Sequence, residues 1–406
     1  MILQLILIIL VVNTLFAQLL SWLNLRNHHT DLPKELAGSF DQEAYAKSFD
    51  YHQVNYRFSL LQTAISFPIM LALLYFGVFG WLDEQLRAVT EHPVLLALLF
   101  FGVLGIISDI SSLPFQWYKT FVIEEKFGFN KTTVKTFWTD KLKSYVLGII
   151  LGGLVLGALI FLIQWLGQSF WIWFWIFISA FTLVMNIFYT SLIMPLFNKL
   201  TPLEEGPLRT AIEGYSEKVK FPLDNVFVID GSKRSSRANA FFSGLGKQKK
   251  VVLYDTLIEQ HEEEELLAVL AHEVGHFKKK HIIQSLVLSI AQSGLMLFIL
   301  SFFVFSESFT AAMGGSGSVI HLNLMAFALL YSPISLVIGL FMNLFSRKNE
   351  YEADRYAAET FKAKPLRDAL VKLHEENLSN LTPHPLYVFF NYSHPTLLQR
   401  LKALGA

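Results

Sequence analysis

Residues 272–276 read His272-Glu273-Val274-Gly275-His276, an H-E-x-x-H pattern whose chemistry follows from its spacing. On a helix, positions i and i+4 share one face, so both imidazoles can reach one Zn²⁺ while Glu273 projects beside them toward a bound water. Cysteine is absent from the 406 residues. Disulfides, thiolate metal sites and Cys nucleophiles are therefore excluded together, and any metal is held by His, Asp or Glu. A catalytic zinc takes three protein ligands and leaves its fourth position to water, which leaves the third ligand to be found. His281 is close, but the longer signature of this motif needs a His one position later and a Gly three before it, and neither is present; it reads better as a helix-end residue. The stronger candidate is Glu350, in Ser346-Arg347-Lys348-Asn349-Glu350-Tyr351-Glu352-Ala353-Asp354. On a helix Glu350 and Asp354 share a face, one able to ligate the metal and the other to hydrogen-bond a ligand His. The competing, less favoured reading of Glu350, Glu352 and Asp354 is a solvated helix face.

The elements that must hold these groups are legible in outline. A helix begins near Glu262-Glu263-Glu264-Glu265 and ends at Lys278-Lys279-Lys280, acidic first and basic last as the helix dipole prefers. Before it, Val226–Ile229 and Val251–Tyr254 read as short strands and Asn239–Phe242 as another, joined to Val251–Tyr254 through the Gly-rich Ser243-Gly244-Leu245-Gly246. The rest of the chain is membrane. Hydrophobic residues make up 53% and charged residues only 16%, against about 25% charged in a soluble globular chain. Seven apolar runs are long enough to cross a hydrocarbon core of about 30 Å: 2–23, 58–80, 93–114, 143–166, 169–194, 282–305 and 322–345. No Lys or Arg precedes Arg26 and no cleavage site follows the first run, so it reads as a retained helix and not as a leader. Trp22, Trp81, Trp117 and Trp165 sit at run ends, as an interfacial aromatic belt requires.

Lys and Arg fix the expected orientation. Segments 24–57, 115–143, 195–281 and 346–406 carry 4, 6, 13 and 9 of them, and the 81–92 loop carries one. The N-terminus is expected outside and the C-terminus in the cytoplasm. Two spans separate His276 from Glu350, which returns both to one side. The layout is spans one to five with their loops over 1–194, a catalytic segment over 195–281, spans six and seven over 282–345, and a C-terminal segment completing the metal site over 346–406. The 33 basic residues balance 33 acidic ones, so no nucleic-acid partner is indicated. Asp109 is the one acid deep inside a span, a functional candidate unless a neighbouring helix pairs it.

Five motifs in order then carry a family resemblance: Phe121-Val122-Ile123-Glu124-Glu125-Lys126-Phe127-Gly128-Phe129-Asn130, Asn239-Ala240-Phe241-Phe242-Ser243-Gly244, the H-E-x-x-H at 272–276, Ser346 to Asp354, and Tyr392-Ser393-His394-Pro395 followed by Arg400. Among seven spans, this set resembles the type I CAAX prenyl endopeptidases, membrane zinc metalloproteases. The resemblance implies a mostly α fold, with seven transmembrane helices forming a barrel around a water-filled chamber and a small cytoplasmic α+β metalloprotease element. It implies one Zn²⁺ per chain held by His272, His276 and Glu350, with Glu273 as general base, His394 and Arg400 near the reacting carbonyl, and Asn239, Ala240 and Phe241 in a strand that pairs with substrate. For 121–130 it implies a structural role. Without it, Asn239 reads as a turn residue, His394-Pro395 as loop punctuation and Arg400 as a solvated charge.

The expected activity is endopeptidase cleavage near the C-terminus of a prenylated CAAX protein or peptide, with peptide substrate and membrane lipid as the partners. The host is a multi-pass site in a bacterial inner membrane or the endoplasmic reticulum, with the active site on the cytoplasmic face. A membrane quality-control protease with the same chemistry and no lipid requirement is the alternative. A metal transporter is the remote one, since it needs charged residues at mid-membrane depth, and only Asp109 lies within a span.

Overall fold

The computed structural model describes residues 1–222, 225–243 and 250–405. Helices α1 (Ile2–Asn27) and α3 (Pro93–Tyr118) contain the first and third apolar runs, and α2 (Gln42–Tyr75) contains the second up to Tyr75. Each exceeds the 20 residues or so that a bilayer core demands. The fourth and fifth runs lie in one continuous helical stretch, Val134–Phe197. At 64 residues it would be about 96 Å long if straight, some three bilayer cores. It turns back at Gly167, whose φ of +54° suits a residue without Cβ. The two limbs, α4 (Gly153–Leu166) and α5 (Phe170–Phe188), pack on each other. Six helical stretches are thus long and apolar enough to cross, against the seven runs of the sequence, because the hairpin at Gly167 joins two of them.

The helix that carries the H-E-x-x-H motif, α6 (Glu263–Lys278), starts where its acidic run does, on a capping box. Glu262 accepts from the N3 backbone and Glu265 from the Glu262 backbone. Both interactions satisfy orphan amides of the first turn. It runs into α7 (His281–Ser301) through Lys280. Helix α8 (Ile320–Thr360) is 41 residues long, about 61 Å. This is twice the hydrocarbon core, so the seventh span continues past the membrane and carries Glu350 and Asp354 back to α6. A short C-terminal helix, α9 (Leu397–Ala403), is capped by Thr396 and Gln399.

Beside α6 lies a four-stranded sheet: β1 (Leu200–Pro202), β2 (Asn225–Ile229), β3 (Ala240–Ser243) and β4 (Lys250–Tyr254), in spatial order β1-β2-β4-β3. Strand β4 is central, parallel to β2 and antiparallel to β3, with Ala240 opposite Leu253 and Phe241 opposite Val252. Val251, Val252 and Leu253 are all buried, the continuous apolar run of a strand covered on both faces. Strand β1, unanticipated from sequence, is short and ends in Pro202, tolerable on an edge. The other edge is β3. The Gly-rich link expected between β3 and β4 falls in 244–249, outside the described residues.

Two apolar cores divide the molecule. One gathers Leu74, Phe79, Phe100, Phe170 and Leu322 among the spans. The other packs Leu266, Leu270, Ala271 and Val274 of α6 against Val251, Leu253, Leu370 and Leu401. Asp109 is paired: Lys141 Nζ lies 2.7 Å from it, Gln116 Nε2 3.3 Å, and Tyr145 donates to its other oxygen. A neighbouring helix therefore accounts for the one intramembrane acid.

Candidate active site

Helix α6 presents His272 and His276 on one face, and the contact with α8 brings Glu350 against both. His276 Nε2 lies 3.1 Å from His272 Nε2 and 3.1 Å from Glu350 Oε1, and His272 Nε2 lies 3.5 Å from Glu350 Oε2. Three ligand atoms on a tetrahedron with metal bonds of 2.0–2.2 Å stand about 3.3 Å apart, so the spacing fits one zinc-sized ion. The buried Glu350 Oε2 has no hydrogen-bond partner among the described residues. That oxygen meets His272 Nε2 only at 3.5 Å and Arg400 Nη1 only at 3.6 Å, too far for a hydrogen bond, and a bound cation would satisfy it.

The close approach has a cause in the motif itself. A Cβ on Gly275 would lie 3.0 Å from Ala353 Cα and 3.1 Å from Ala353 O. Glycine here lets the backbone of α8 come near enough for Glu350 to reach the two histidines, a role the spacing of His and Glu did not disclose.

Each imidazole has a partner behind it, a carboxylate for His272 and a second imidazole for His276. Asp354 Oδ1 lies 2.8 Å from His272 Nδ1 and is gripped by Arg400, whose Nη2 and Nε donate to its two oxygens at 2.5 and 2.8 Å. His276 Nδ1 meets His281 Nδ1 at 3.0 Å, and His281 Nε2 lies 3.3 Å from Glu352 Oε2. His281 is thus placed as neither third ligand nor bare helix end; it stands between Glu352 and a candidate ligand, with both ring nitrogens engaged. Such partners fix the ring orientation and tautomer of ligand histidines. Burial works against a charged His272, but Asp354 and Glu350 outweigh it and hold its pKa at about 9. Burial pushes the Glu273 carboxyl up, against the pull of His272 and His276, in the direction that suits a proton acceptor. Burial also lowers His394, with Glu350 opposing.

His394 Nε2 sits 3.3 Å from Glu350 Oε1 and Arg400 Nη1 sits 3.6 Å from Glu350 Oε2. Both therefore border the metal position, Arg400 buried and His394 largely exposed. His272, Glu273, His276, Glu350, His394 and Arg400 line one cavity of 640 Å³, and Asn239, Ala240 and Phe241 line it too. Asn239 does behave as a turn residue locally, its Oδ1 accepting the Ala240 amide at 2.8 Å. Its carbonyl accepts from Tyr254 at 3.1 Å, so β3 is tied to β4 on one side, and the edge of the sheet falls at the site. Every residue expected to act on substrate or metal is brought together, from segments as far apart as Asn239 and Arg400.

Residues 21–199 match the CAAX prenyl protease N-terminal domain of five membrane helices, and residues 202–406 match peptidase family M48. The chain is 39% identical to the CAAX prenyl protease 1 homolog of Arabidopsis thaliana, the alignment covering 92% of this chain and 90% of that protein. It is 35% identical to CAAX prenyl protease 1 of Saccharomyces cerevisiae (92% and 88%) and 33% identical to the CAAX prenyl protease 1 homolog of Homo sapiens (92% and 89%). The crystal structure of S. mikatae Ste24p superposes with a TM-score of 0.95 at 33% identity, covering 100% of this chain and 99% of that one.

Proposed function

The chain belongs to peptidase family M48 with its CAAX prenyl protease N-terminal membrane domain, a multi-pass membrane metalloendopeptidase, and on that premise we propose that it is a zinc enzyme cutting prenylated CAAX proteins just after the lipidated Cys. The observation that carries the chemistry is the His272, His276 and Glu350 cluster, its donor atoms within 4.8 Å of one another, facing the cavity that Glu273 and the β3 edge also line.

In this reading His272, His276 and Glu350 hold one Zn²⁺ per chain. Bound there, the ion supplies Lewis acidity and brings the pKa of a water to about 7. Glu273 would take a proton from the attacking water as its oxygen bonds to the scissile carbonyl carbon, and return it to the amine nitrogen as the C–N bond breaks. Arg400 and His394 donate to the carbonyl oxygen as its charge grows. Asp354 and Arg400 lock His272 in place. Asn239, Ala240 and Phe241 hold the substrate as an added strand through main-chain hydrogen bonds, which keeps side-chain preference relaxed. The Lys and Arg bias supports a cytoplasmic position for this site.

The lipid follows from location. A site at the ends of membrane spans gains about 0.8 kcal/mol for each CH₂ an anchored substrate buries, and a tethered peptide meets it at high effective concentration. A farnesylated C-terminal peptide is expected to be cut with higher kcat/KM than the same peptide without lipid. Equal values would remove the prenyl requirement and leave a quality-control protease. The transporter reading loses its support, since Asp109 is engaged by Lys141 and the metal-ligating groups lie where α6 and the far end of α8 meet.

A further inference from the structure

The 121–130 motif lies outside the cavity wall, yet its charged member Glu124 leads to the substrate strand. Glu124 sits at the end of the helix running on from α3. Tyr51 of α2 donates to Glu124 Oε1 at 2.8 Å. Arg237, two residues before Asn239, donates through Nη2 to Tyr51 Oη at 2.6 Å and to Glu124 Oε2 at 3.2 Å. Its guanidinium lies 4.2 Å from the centre of the Phe129 ring. Three neighbours from two spans and one loop thus fix one side chain, through two hydrogen bonds and a stacked face.

The backbone around Arg237 is held just as closely. The Arg237 carbonyl accepts from Thr256 Oγ1 at 2.9 Å. The Ser236 amide donates to Phe129 O at 3.1 Å, and Ser236 Oγ donates to Gly128 O at 3.0 Å. Upstream, Arg234 forms a two-pronged pair with Asp140 at 2.7 and 2.9 Å. On the far side of Arg237 the next residues are buried Ala238 and then the strand itself. A strand rises about 3.3 Å per residue, so the clamp stands about 7 Å from Asn239. Strand β3 has β4 on one side only, and the contacts of residues 234–237 add to that ladder in fixing where the strand starts along the sheet.

We propose that Arg237, clamped by Glu124 and Tyr51 on the face of Phe129, is the positioning residue that sets the register of the β3 edge against the metal site, coupling the inner ends of α2 and α3 to substrate binding. The proposal rests on reading β3 as the strand that receives the peptide. A peptide added to an edge makes main-chain hydrogen bonds that are the same before and during reaction. Loosening the clamp therefore weakens binding uniformly, raising KM and leaving kcat. A charged hydrogen bond lost at such a point is worth about tenfold in binding or more.

The test uses the full chain, zinc-loaded and in detergent. Equilibrium binding of a fluorescent farnesylated peptide is measured in a Glu273→Gln background, which keeps cleavage from draining the complex, and steady-state kinetics are measured without that change. Glu124→Gln and the gentler Tyr51→Phe are each expected to raise Kd and KM about tenfold, with kcat, zinc content and Tm unchanged. Arg237→Lys combined with Glu124→Gln is expected to bind no worse than the weaker single variant, because all act through one clamp. Unchanged Kd in the single variants, a fall in kcat at constant KM, a matching loss of Tm or zinc, or multiplying effects in the double variant would each overturn the proposal. Lack of turnover by the unaltered chain counts against the protease reading instead, and leaves the binding comparison to decide on Arg237.

Discussion

Replacing Gly275 with alanine adds one methyl group at the tightest point between the two helices that carry the site. That methyl would stand 3.0 Å from Ala353 Cα, 3.1 Å from Ala353 O and 3.2 Å from Tyr356 Cβ. Ordinary carbon contacts settle at about 3.5–4.0 Å, so α6 and α8 must part by roughly 0.5 Å or more, and two of the three atoms belong to backbone that no rotamer change can move. Alanine gains about 1 kcal/mol of helix propensity over glycine, and overpacking a core costs about 1–3 kcal/mol. Net stability therefore changes by about 2 kcal/mol at most. Function is more sensitive. Ala353 lies between Glu350 and Asp354 on α8, so the shift is passed to the carboxylate proposed to ligate the metal and to the partner of His272. Loss of such support typically costs 10–100-fold in metal affinity. Zinc affinity of purified Gly275→Ala, measured by competition with a chelator, is expected to fall at least tenfold (about 1.4 kcal/mol) with a folded chain. Gly339→Ala, on α8, meets nothing within 4 Å and is the control, expected to bind zinc as the unaltered chain does. Unchanged affinity in Gly275→Ala would refute the argument that helix approach sets the ligand geometry.

Further outcomes separate the roles around the site. Glu350→Ala is expected to lose metal in elemental analysis while Glu352→Ala retains most of it, weakened through His281; full occupancy in Glu350→Ala would move the third ligand elsewhere. Arg400→Ala leaves Asp354, 1% exposed, without its cationic partner, and removing one member of a buried pair costs about 3–5 kcal/mol; a thermal melt no lower than that of the unaltered chain would show that the pair does not hold the C-terminal helix in place. A reporter that fluoresces only in the cytoplasm is expected to be bright when fused after Ala406 and dark in the 306–319 loop, and the reverse pattern would put the site on the outer face.

What could be read in the residues was what local physics decides. The start of α6 was visible because the acidic run that complements the helix dipole also supplies the capping box of Glu262 and Glu265. Glu350 could be paired with Asp354 because four residues is a helical repeat, and the 41-residue α8 supplied the continuity that reading assumed. Strand β4 announced itself through three consecutive buried apolar residues. What stayed hidden depends on chain folding over long separations. Arg400 grips Asp354 across 46 positions and approaches His272 across 128, and no local pattern distinguishes it from a solvated arginine; only the family resemblance singled it out. Gly275 looks like a mild helix weakness until α8 is placed against it. His281 and Glu352 are unremarkable apart, and form a support for His276 only once α7 and α8 are neighbours. The short β1 has three residues and a proline, too little pattern to stand out. Seven apolar runs became six continuous helical stretches because a single left-handed glycine turns the chain without ending its helical hydrogen bonding for more than a few residues.

The account turns on one division of labour, in which His272, His276 and Glu350 hold the metal and Glu273 moves the proton. Zinc content and cleavage of a farnesylated C-terminal peptide, measured on the same preparation of Glu273→Gln, test it most directly. The expected result is one zinc per chain with turnover reduced by about 10²–10⁴-fold and the residual product still cut after the lipidated Cys. Zinc-replete Glu273→Gln with near-normal turnover would contradict the account, because the proton would then have some other carrier.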